Sequence, residues 1–228
     1  MVPLQPPAVT VHQFGREREP IVMIDGFSGR ADALLAAGRA AVYQPGGAAY
    51  PGIRAWAEPD YLDVRRELMF TIMQRVFGFT RGIRCEVSTF SVVTLVEADL
   101  APLQRIPHYD HSRGDLVAVM HYLQGPESGG TAFYRHQRTG FETITDAREP
   151  AYNAALAADE REHGMPPARY HYGDSPRYAM IGEIEAVPDR LILYRGRQLH
   201  SGVIPDPSAL SSDPAKGRLT INMFISGS

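Results

Sequence analysis

Hydrophobic residues follow two different periods along this chain, a helical one in its first third and a strand-like one in the remainder. Between Asp60 and Phe77 apolar residues recur every three or four positions, which predicts a helix that Gly78 ends. A second helix is predicted from Arg30 to about Val42, after a short apolar strand at Ile21–Ile24. The N-terminal part of the chain is therefore expected to be mainly helical.

Beyond Arg84, short apolar runs separated by turn residues predict a series of antiparallel strands. The predicted strands are Glu86–Leu95, Asp115–Leu123, Thr131–Arg135, Tyr178–Val187, Arg190–Tyr194, His200–Ile204 and Arg218–Ile225. An Ala-rich helical segment, Glu149–His163, lies inside a connection from about His136 to Tyr178, and connections of that length often form lids or binding loops. This order of elements predicts an α+β fold with helices packed on one face of a β-sandwich or jelly roll.

The length of 228 residues and the 44% hydrophobic content are typical of one globular domain. We expect residues 1–84 to form an N-terminal helical support and residues 85–228 to form the β-rich core, with an insertion at about 136–178. The 23 Lys and Arg residues are dispersed and are offset by 26 Asp and Glu, so no basic run could follow a phosphate backbone. Nucleic acid is therefore not an expected partner.

The single cysteine, Cys85, cannot form an internal disulfide, which fits a reducing compartment. The N-terminal residues lack the charged and apolar regions of a signal peptide, and no stretch approaches eighteen apolar residues. The sequence therefore predicts a cytoplasmic protein that does not associate with membranes.

A candidate metal site begins with the sole His-x-Asp of the chain, formed by His108 and Asp110. In an extended backbone, side chains two residues apart point to the same side, so both could ligate one cation. His200, on a later predicted strand, is the candidate for a second imidazole. Two imidazoles and one carboxylate form the facial triad of non-haem iron(II) oxygenases. A His-x-Asp alone is weak evidence, since about 0.5 matches arise by chance in such a composition.

A second motif, Arg218-Leu219-Thr220, heads the predicted strand RLTINMFI. Strand alternation places Arg218, Thr220 and Asn222 on one face. An arginine inside a small barrel requires an anion, and a dicarboxylate would supply one through two parallel hydrogen bonds. The alternative is that Arg218 reaches solvent at the strand end or pairs with an internal Asp or Glu.

From about Phe90 to Phe224 the sequence resembles the prolyl 4-hydroxylase type of iron(II)- and 2-oxoglutarate-dependent oxygenases, which share a double-stranded β-helix, or jelly-roll, core of the cupin type. Five segments carry the resemblance in order: PHYD around His108, the strand ending in HYLQ, the hairpin SGGTAFY, the strand PDRLILY and RLTINMF. Two longer connections, after the hairpin and between His200 and Arg218, depart from the family pattern. They bear on the substrate rather than on the ligands.

The resemblance implies a role for each matching residue. His108, Asp110 and His200 would bind iron(II), and Arg218 would hold the distal carboxylate of 2-oxoglutarate. Tyr122 stands where many relatives place a tyrosine that touches the same carboxylate, although Gln124 replaces their asparagine. Thr220 is a further candidate for cosubstrate binding from its position alone, and no catalytic residue is implied beyond the metal ligands.

The implied function is a dioxygenase that hydroxylates an amino-acid-like small molecule or a protein side chain and releases succinate and CO2, with ascorbate as a candidate stimulant. Two alternatives remain open. One is a non-catalytic jelly-roll module that binds a small ligand, and the other is a cupin-like metal-dependent hydrolase with the same His and Asp ligands. The sequence does not identify the substrate, distinguish an active enzyme from a pseudo-enzyme or give the oligomeric state.

Four other histidines are interpreted as lying outside the metal site. His111 stands three residues from His108 in a segment bounded by proline and glycine, a poor spacing for an extended strand. His136, His163 and His171 are in or near the long connection and are expected at the surface.

Overall fold

Two antiparallel sheets, one large and one small, form the framework of the protein. The structure is a computed structural model that describes residues 5–228. The strands are β1 Ala8–Gln13, β2 Pro20–Asp25, β3 Gln44–Pro45, β4 Gly52–Trp56, β5 Ile83–Val93, β6 Leu116–Tyr122, β7 Thr131–His136, β8 Tyr178–Ile184, β9 Arg190–Arg195, β10 His200–Gly202 and β11 Leu219–Gly227. The α-helices are α1 Ala31–Ala40, α2 Arg66–Arg75 and α3 Glu149–His163.

The strand order shows a double-stranded β-helix. The large sheet has the order β1-β2-β9-β6-β11-β5-β4-β3, and the small sheet has the order β10-β7-β8. One further bridge, between His108 and His200, adds the His108 segment beside β10. The central strands β9, β6, β11 and β5 therefore face β8, β7, β10 and the His108 segment, which confirms the predicted jelly-roll core.

Alternating side chains divide the protein into three apolar layers. The outer face of the large sheet packs against α1 and α2, where Ile72 and Met73 are buried. The inner faces of the two sheets meet around Tyr122, Phe133 and Tyr194. The outer face of the small sheet packs against α3 through Tyr152. The N-terminal helices thus pack on one sheet as predicted, and each fully buried large side chain contributes about 1.5–3 kcal/mol to the free energy of folding.

The N-terminal region differs in part from its expected helical character. It supplies β1 to β4 to the large sheet in addition to α1 and α2, whereas only the strand at β2 is evident from the sequence. The segment predicted as one helix from Asp60 begins as the 3₁₀ helix Pro59–Arg65 and becomes α-helical at Arg66. Tight 3₁₀ turns are common at helix N-termini. No helix within residues 5–228 is both long and apolar enough to cross a lipid bilayer.

Candidate metal centre

The structure brings His108, Asp110 and His200 together at the junction of the two sheets. One potential ligand atom from each residue lies within 4.8 Å of the other two. The Nε2 atom of His108 is 3.9 Å from Asp110 Oδ1, and the Nε2 atom of His200 is 3.8 Å from Asp110 Oδ2. These separations are too long for hydrogen bonds, so neither imidazole nitrogen is hydrogen-bonded to the carboxylate of Asp110.

Backbone hydrogen bonds fix the two segments that carry these side chains. The amide of His108 donates to the carbonyl of His200 at 2.9 Å, and the amide of His200 donates back at 2.8 Å. The amide of Asp110 donates to the carbonyl of Gly196 at 2.7 Å. Residues that lie about 90 positions apart in the sequence are therefore held side by side before any ligand binds.

The protonation state of the three groups suits a cation. His200 Nδ1 lies 2.9 Å from the carbonyl of Gln198, which can only accept, so Nδ1 carries the proton and Nε2 presents its lone pair. Burial lowers the pKa of His200 to about 4. Burial, and secondly the imidazole of His200, lower the pKa of His108 to about 4, even though 54% of the His108 side chain is accessible. Both imidazoles are therefore neutral near pH 7, as ligands must be.

Asp110 supplies the negative charge of this group. Its Oδ2 atom is buried and has no hydrogen-bond partner among residues 5–228. Burial raises the pKa of Asp110 to about 6, partly offset by the nearby His108 and Arg54. A buried carboxylate oxygen without a donor is costly unless a cation binds it. The set of two neutral imidazoles and one such carboxylate therefore fits a divalent metal ion.

Arg218 immediately precedes β11 and approaches β10, the strand that begins with His200. The side chain is 8% exposed, and one terminal nitrogen donates to the carbonyls of Gly130 and Gly129 at 3.2 and 3.3 Å. Its Nε atom is buried without a partner among residues 5–228. A Cβ atom built on Gly202 would lie 3.9 Å from the same terminal nitrogen. Arg218 therefore faces β10 two residues beyond His200, with part of its donor capacity unused.

Tyr122 and Thr220 line the inner face beside Arg218. They are directly paired across β6 and β11, so their side chains project to the same side. The Tyr122 hydroxyl lies 2.6 Å from that of Thr131. Burial raises the pKa of Tyr122 to about 12, so its hydroxyl remains protonated and can donate. Thr220 donates to Asn222 Oδ1 at 2.9 Å and forms no hydrogen bond with Arg218.

The glycine turn before β7 positions the carbonyls that hold Arg218. A Cβ atom on Gly130 would lie 2.0 Å from the carbonyl oxygen of Ile184, a contact that the backbone must relieve by moving. Gly130→Ala is therefore expected to lower the free energy of unfolding by about 1–3 kcal/mol. Chemical denaturation checks this value, with Gly114→Ala as the control, since its added Cβ atom would approach Arg197 no closer than 3.5 Å. Equal stability of the two variants would contradict the expectation.

The other histidines lie outside the metal group. His111 is exposed, and its Nδ1 atom accepts from the amide of Arg113. The prediction that His136 lies at the surface is wrong, because its imidazole is fully buried and lies 2.7 Å from Asp159 Oδ2. His171 is half-buried against Tyr134, while His163 is at the end of α3. Helix α3 covers this part of the small sheet. The sequence predicts the helix but not its packing position, and so it does not predict the burial of His136.

Three residues near the site were missed from the sequence. The ring of Tyr194 packs edge-on against His200, with ring centroids 4.8 Å apart. Arg54 on β4 lies on the same face of the large sheet as Thr220, and its guanidinium stacks on the Tyr50 ring at 4.2 Å. The alternation in PDRLILY could have indicated an inward Tyr194, but the position of Arg54 depends on edge strands that the hydrophobic pattern does not predict.

Residues 5–225 match the protein family described as Family of unknown function (DUF6445). No curated protein matches the sequence. Among solved structures, the chain is similar to SnoN, a non-heme alpha ketoglutarate dependent epimerase from nogalamycin biosynthesis. The TM-score is 0.50 at 15% identity over 92% of this chain and 77% of SnoN. This likeness supports the double-stranded β-helix fold.

Two further solved structures are similar at comparable identity. HygX from Streptomyces hygroscopicus, solved with nickel and 2-oxoglutarate, has 13% identity and a TM-score of 0.49 over 93% of this chain and 84% of HygX. A prolyl hydroxylase from Trichoplax adhaerens, solved with a hypoxia inducible factor peptide, has 14% identity and a TM-score of 0.46. That match covers 91% of this chain and 82% of the hydroxylase.

Proposed function

Because the chain belongs to the Family of unknown function (DUF6445), whose description names no reaction, we propose its chemistry from the site itself. The proposal is an iron(II)- and 2-oxoglutarate-dependent oxygenase. The observation that carries it is the joint presence of a two-histidine, one-carboxylate group and a buried arginine with an unused donor in one crevice. The structural neighbour SnoN is described as alpha ketoglutarate dependent, which supports the choice of cosubstrate.

His108, Asp110 and His200 would hold the iron. Two imidazoles and one carboxylate leave several coordination positions open, which distinguishes this ligand set from the closed sites of structural metals. The reciprocal backbone bridge between His108 and His200 holds both imidazoles in place, and the carbonyl of Gln198 keeps His200 in the tautomer that ligates through Nε2. These hydrogen bonds therefore orient the proposed ligand atoms before the metal binds.

Arg218 would hold the distal carboxylate of 2-oxoglutarate. Its free Nε atom and a terminal nitrogen can form the paired hydrogen bonds that guanidinium makes with a carboxylate. Gly202, beside Arg218, is two residues beyond His200 on β10, a rise of about 7 Å. A five-carbon dicarboxylate can bridge that interval between the metal and the guanidinium. The protonated Tyr122 hydroxyl is a further donor, whereas Thr220 would act only after releasing Asn222.

When bound with dioxygen, iron and 2-oxoglutarate supply an oxidising reaction that releases succinate and CO2. The chain's own residues orient the cosubstrate and exclude water. Tyr170, from the long connection, donates to the carbonyl of Leu95 at 2.7 Å and closes one side of the crevice near Arg218. Hydroxylation of an amino-acid-like small molecule or a protein side chain is the proposed outcome. The proposed setting is the cytoplasm, with ascorbate as a stimulant and no membrane or nucleic acid partner.

The test is succinate release from 2-oxoglutarate under air with added iron(II) and ascorbate. Arg218→Met is expected to raise the apparent KM for 2-oxoglutarate at least about 10-fold, because a charge-assisted hydrogen-bond pair is lost. Arg39→Met serves as the control, since Arg39 is exposed on α1, which packs on the outer face of the large sheet and not on the inner face that carries Arg218. Unchanged KM in the Arg218 variant would remove the proposed cosubstrate site.

The same assay separates the two alternatives. A non-catalytic module predicts neither succinate release nor tight iron binding. A metal-dependent hydrolase predicts metal binding without 2-oxoglutarate binding, and it leaves the buried Arg218 without a carboxylate to hold. Calorimetric titration of iron(II) and then of 2-oxoglutarate under nitrogen distinguishes these outcomes even when no turnover is seen.

A further inference from the structure

A second arginine, Arg54 on β4, projects from the same inner face of the large sheet as Arg218. Antiparallel pairing aligns Arg54 with Ser91, Ser91 with Thr220, and Thr220 with Tyr122. Directly paired residues project to one face of a sheet, so Arg54 points to the inner face that carries Tyr122. Arg54 lies two strands from Thr220, a separation of about 10 Å between backbones. This places the Arg54 backbone at the flank of the barrel, whereas Arg218 immediately precedes β11.

Arg54 and Tyr50 form a preassembled pair with an unused donor. The guanidinium stacks on the Tyr50 ring at 4.2 Å, which leaves the edge of the guanidinium free for hydrogen bonds. Within residues 5–228, Arg54 Nε is buried without a hydrogen-bond partner, and the buried Tyr50 hydroxyl has only the Ser91 side chain beside it. Buried polar atoms in folded proteins are almost always satisfied, so the unpaired Arg54 Nε indicates a missing acceptor.

The backbone before β4 holds this pair in place. The amide of Gly46 donates to the carbonyl of Gly52 at 2.8 Å, and the amide of Gly52 donates to the carbonyl of Tyr50 at 2.9 Å. A Cβ atom on Gly52 would lie 2.0 Å from the carbonyl oxygen of Val92, so only glycine permits this close approach to β5. The turn thus fixes Tyr50 over the crevice rather than leaving it on a free loop.

The charges of the crevice explain why an acceptor is needed there. In the proposed complex, iron(II), Asp110, Arg218 and the two carboxylates of 2-oxoglutarate together leave no excess charge, whereas Arg54 adds one positive charge. One singly charged anion would therefore neutralise the site.

We propose that Arg54 and Tyr50 bind a carboxylate of the primary substrate, so that the substrate is a small carboxylate-bearing molecule. This inference rests on the proposed function, because there 2-oxoglutarate bridges the metal and Arg218 and leaves Arg54 without an anion. A carboxylate matches the flat edge of the guanidinium and carries a single charge. A phosphate monoester carries about two negative charges at neutral pH and would leave the site negative.

The experiment compares matched acids and amides on the iron-loaded protein with saturating 2-oxoglutarate under nitrogen. The probes are the twenty common L-amino acids and their N-acetyl derivatives, each tested against the corresponding carboxamide by calorimetry. We expect at least one acid to bind wild type at least about 10-fold more tightly than its amide, as loss of a charge-assisted hydrogen bond requires. In Arg54→Met the affinities of that acid and its amide are expected to become equal.

Two further variants test the geometry of the contact. Arg54→Lys keeps the charge but loses the flat pair of donors, so it is expected to retain only part of the acid preference. Tyr50→Phe removes one donor and should reduce the preference without abolishing it, while Arg39→Met should preserve it fully. Thermal unfolding of each variant establishes that the protein remains folded.

The outcomes also separate this inference from the function on which it rests. Failure of wild type to bind iron or 2-oxoglutarate removes both. Normal binding of iron and 2-oxoglutarate, with no acid preferred over its amide, overturns only the assignment of Arg54. An acid preference that persists in Arg54→Met likewise overturns it, since another residue must then bind the carboxylate.

Discussion

Replacing His200 with alanine is expected to weaken iron(II) binding by at least about 100-fold and to abolish succinate release. Loss of a residue that merely orients a metal ligand already costs 10- to 100-fold in affinity, and His200 is proposed as a ligand itself. Its imidazole is 4% exposed and faces Asp110, so alanine would leave a gap that no neighbouring side chain fills with a nitrogen donor. Calorimetric titration of iron(II) under nitrogen measures the change directly.

His111→Ala is the matched control for this variant. His111 belongs to the same PHYDH stretch as His108 and Asp110, but its exposed ring interacts with the amide of Arg113 instead of with the metal group. Its removal should leave iron affinity within a factor of about 2–3, the ordinary spread for a surface substitution. If His111→Ala loses as much iron affinity as His200→Ala, the ligand assignment is wrong.

The sequence gives local signals for His108, Asp110 and Arg218, whereas only the family resemblance links the distant His200 to them. The spacing of His108 and Asp110 places both on one side of an extended segment, and Arg218 heads a strand whose alternation is regular. The hydrophobic periods likewise predict the helices α1 and α3 and the core strands β5 to β11 within a few residues. Local period and motif are thus sufficient for the architecture around the site.

The same signals do not give the partners of side chains across sheets. Alternation predicts that Tyr122 points inward, but only the packing of the two sheets brings its hydroxyl to Thr131. Arg54 is harder still to predict, because β4 is short and joins the sheet beside β5 through a glycine contact that no hydrophobic pattern reports. Register and edge pairing depend on distant chain segments, and so they emerge only in three dimensions.

The largest expected effect on stability comes from a second polar group, on the outer face of the large sheet. Asp189 accepts from the amide and hydroxyl of Ser28, from the amide of Gly29 and from the Nε2 atom of His121. His121 is fully buried, and its Nδ1 atom lies 3.1 Å from the Tyr61 hydroxyl. This network joins the loop before α1 to the start of β9, so Asp189 links the N-terminal helices to the barrel.

Asp189→Ala is expected to lower the free energy of unfolding by about 3–5 kcal/mol, because it leaves several buried donors without an acceptor. Asp189→Asn should cost less, about 1–3 kcal/mol, since it keeps one acceptor oxygen and tolerates the left-handed backbone, with φ of 64°, at this position. Asp63→Ala is the control. Asp63 forms an exposed pair with Arg66, and its loss should change stability by no more than about 1 kcal/mol.

The pH dependence of this effect identifies the carboxylate as its source. Burial alone would raise the pKa of Asp189, but the hydrogen bonds from His121, Ser28 and Gly29 outweigh it and hold the pKa below the usual 3.8. The stabilisation is therefore fully present above about pH 4 and is lost as the pH falls through the lowered pKa of the folded state. Denaturation curves should give a constant difference between wild type and Asp189→Ala from pH 7 to pH 5, and a shrinking difference below pH 4. A difference that disappears between pH 7 and pH 5 would show that another group, and not this carboxylate, stabilises the junction.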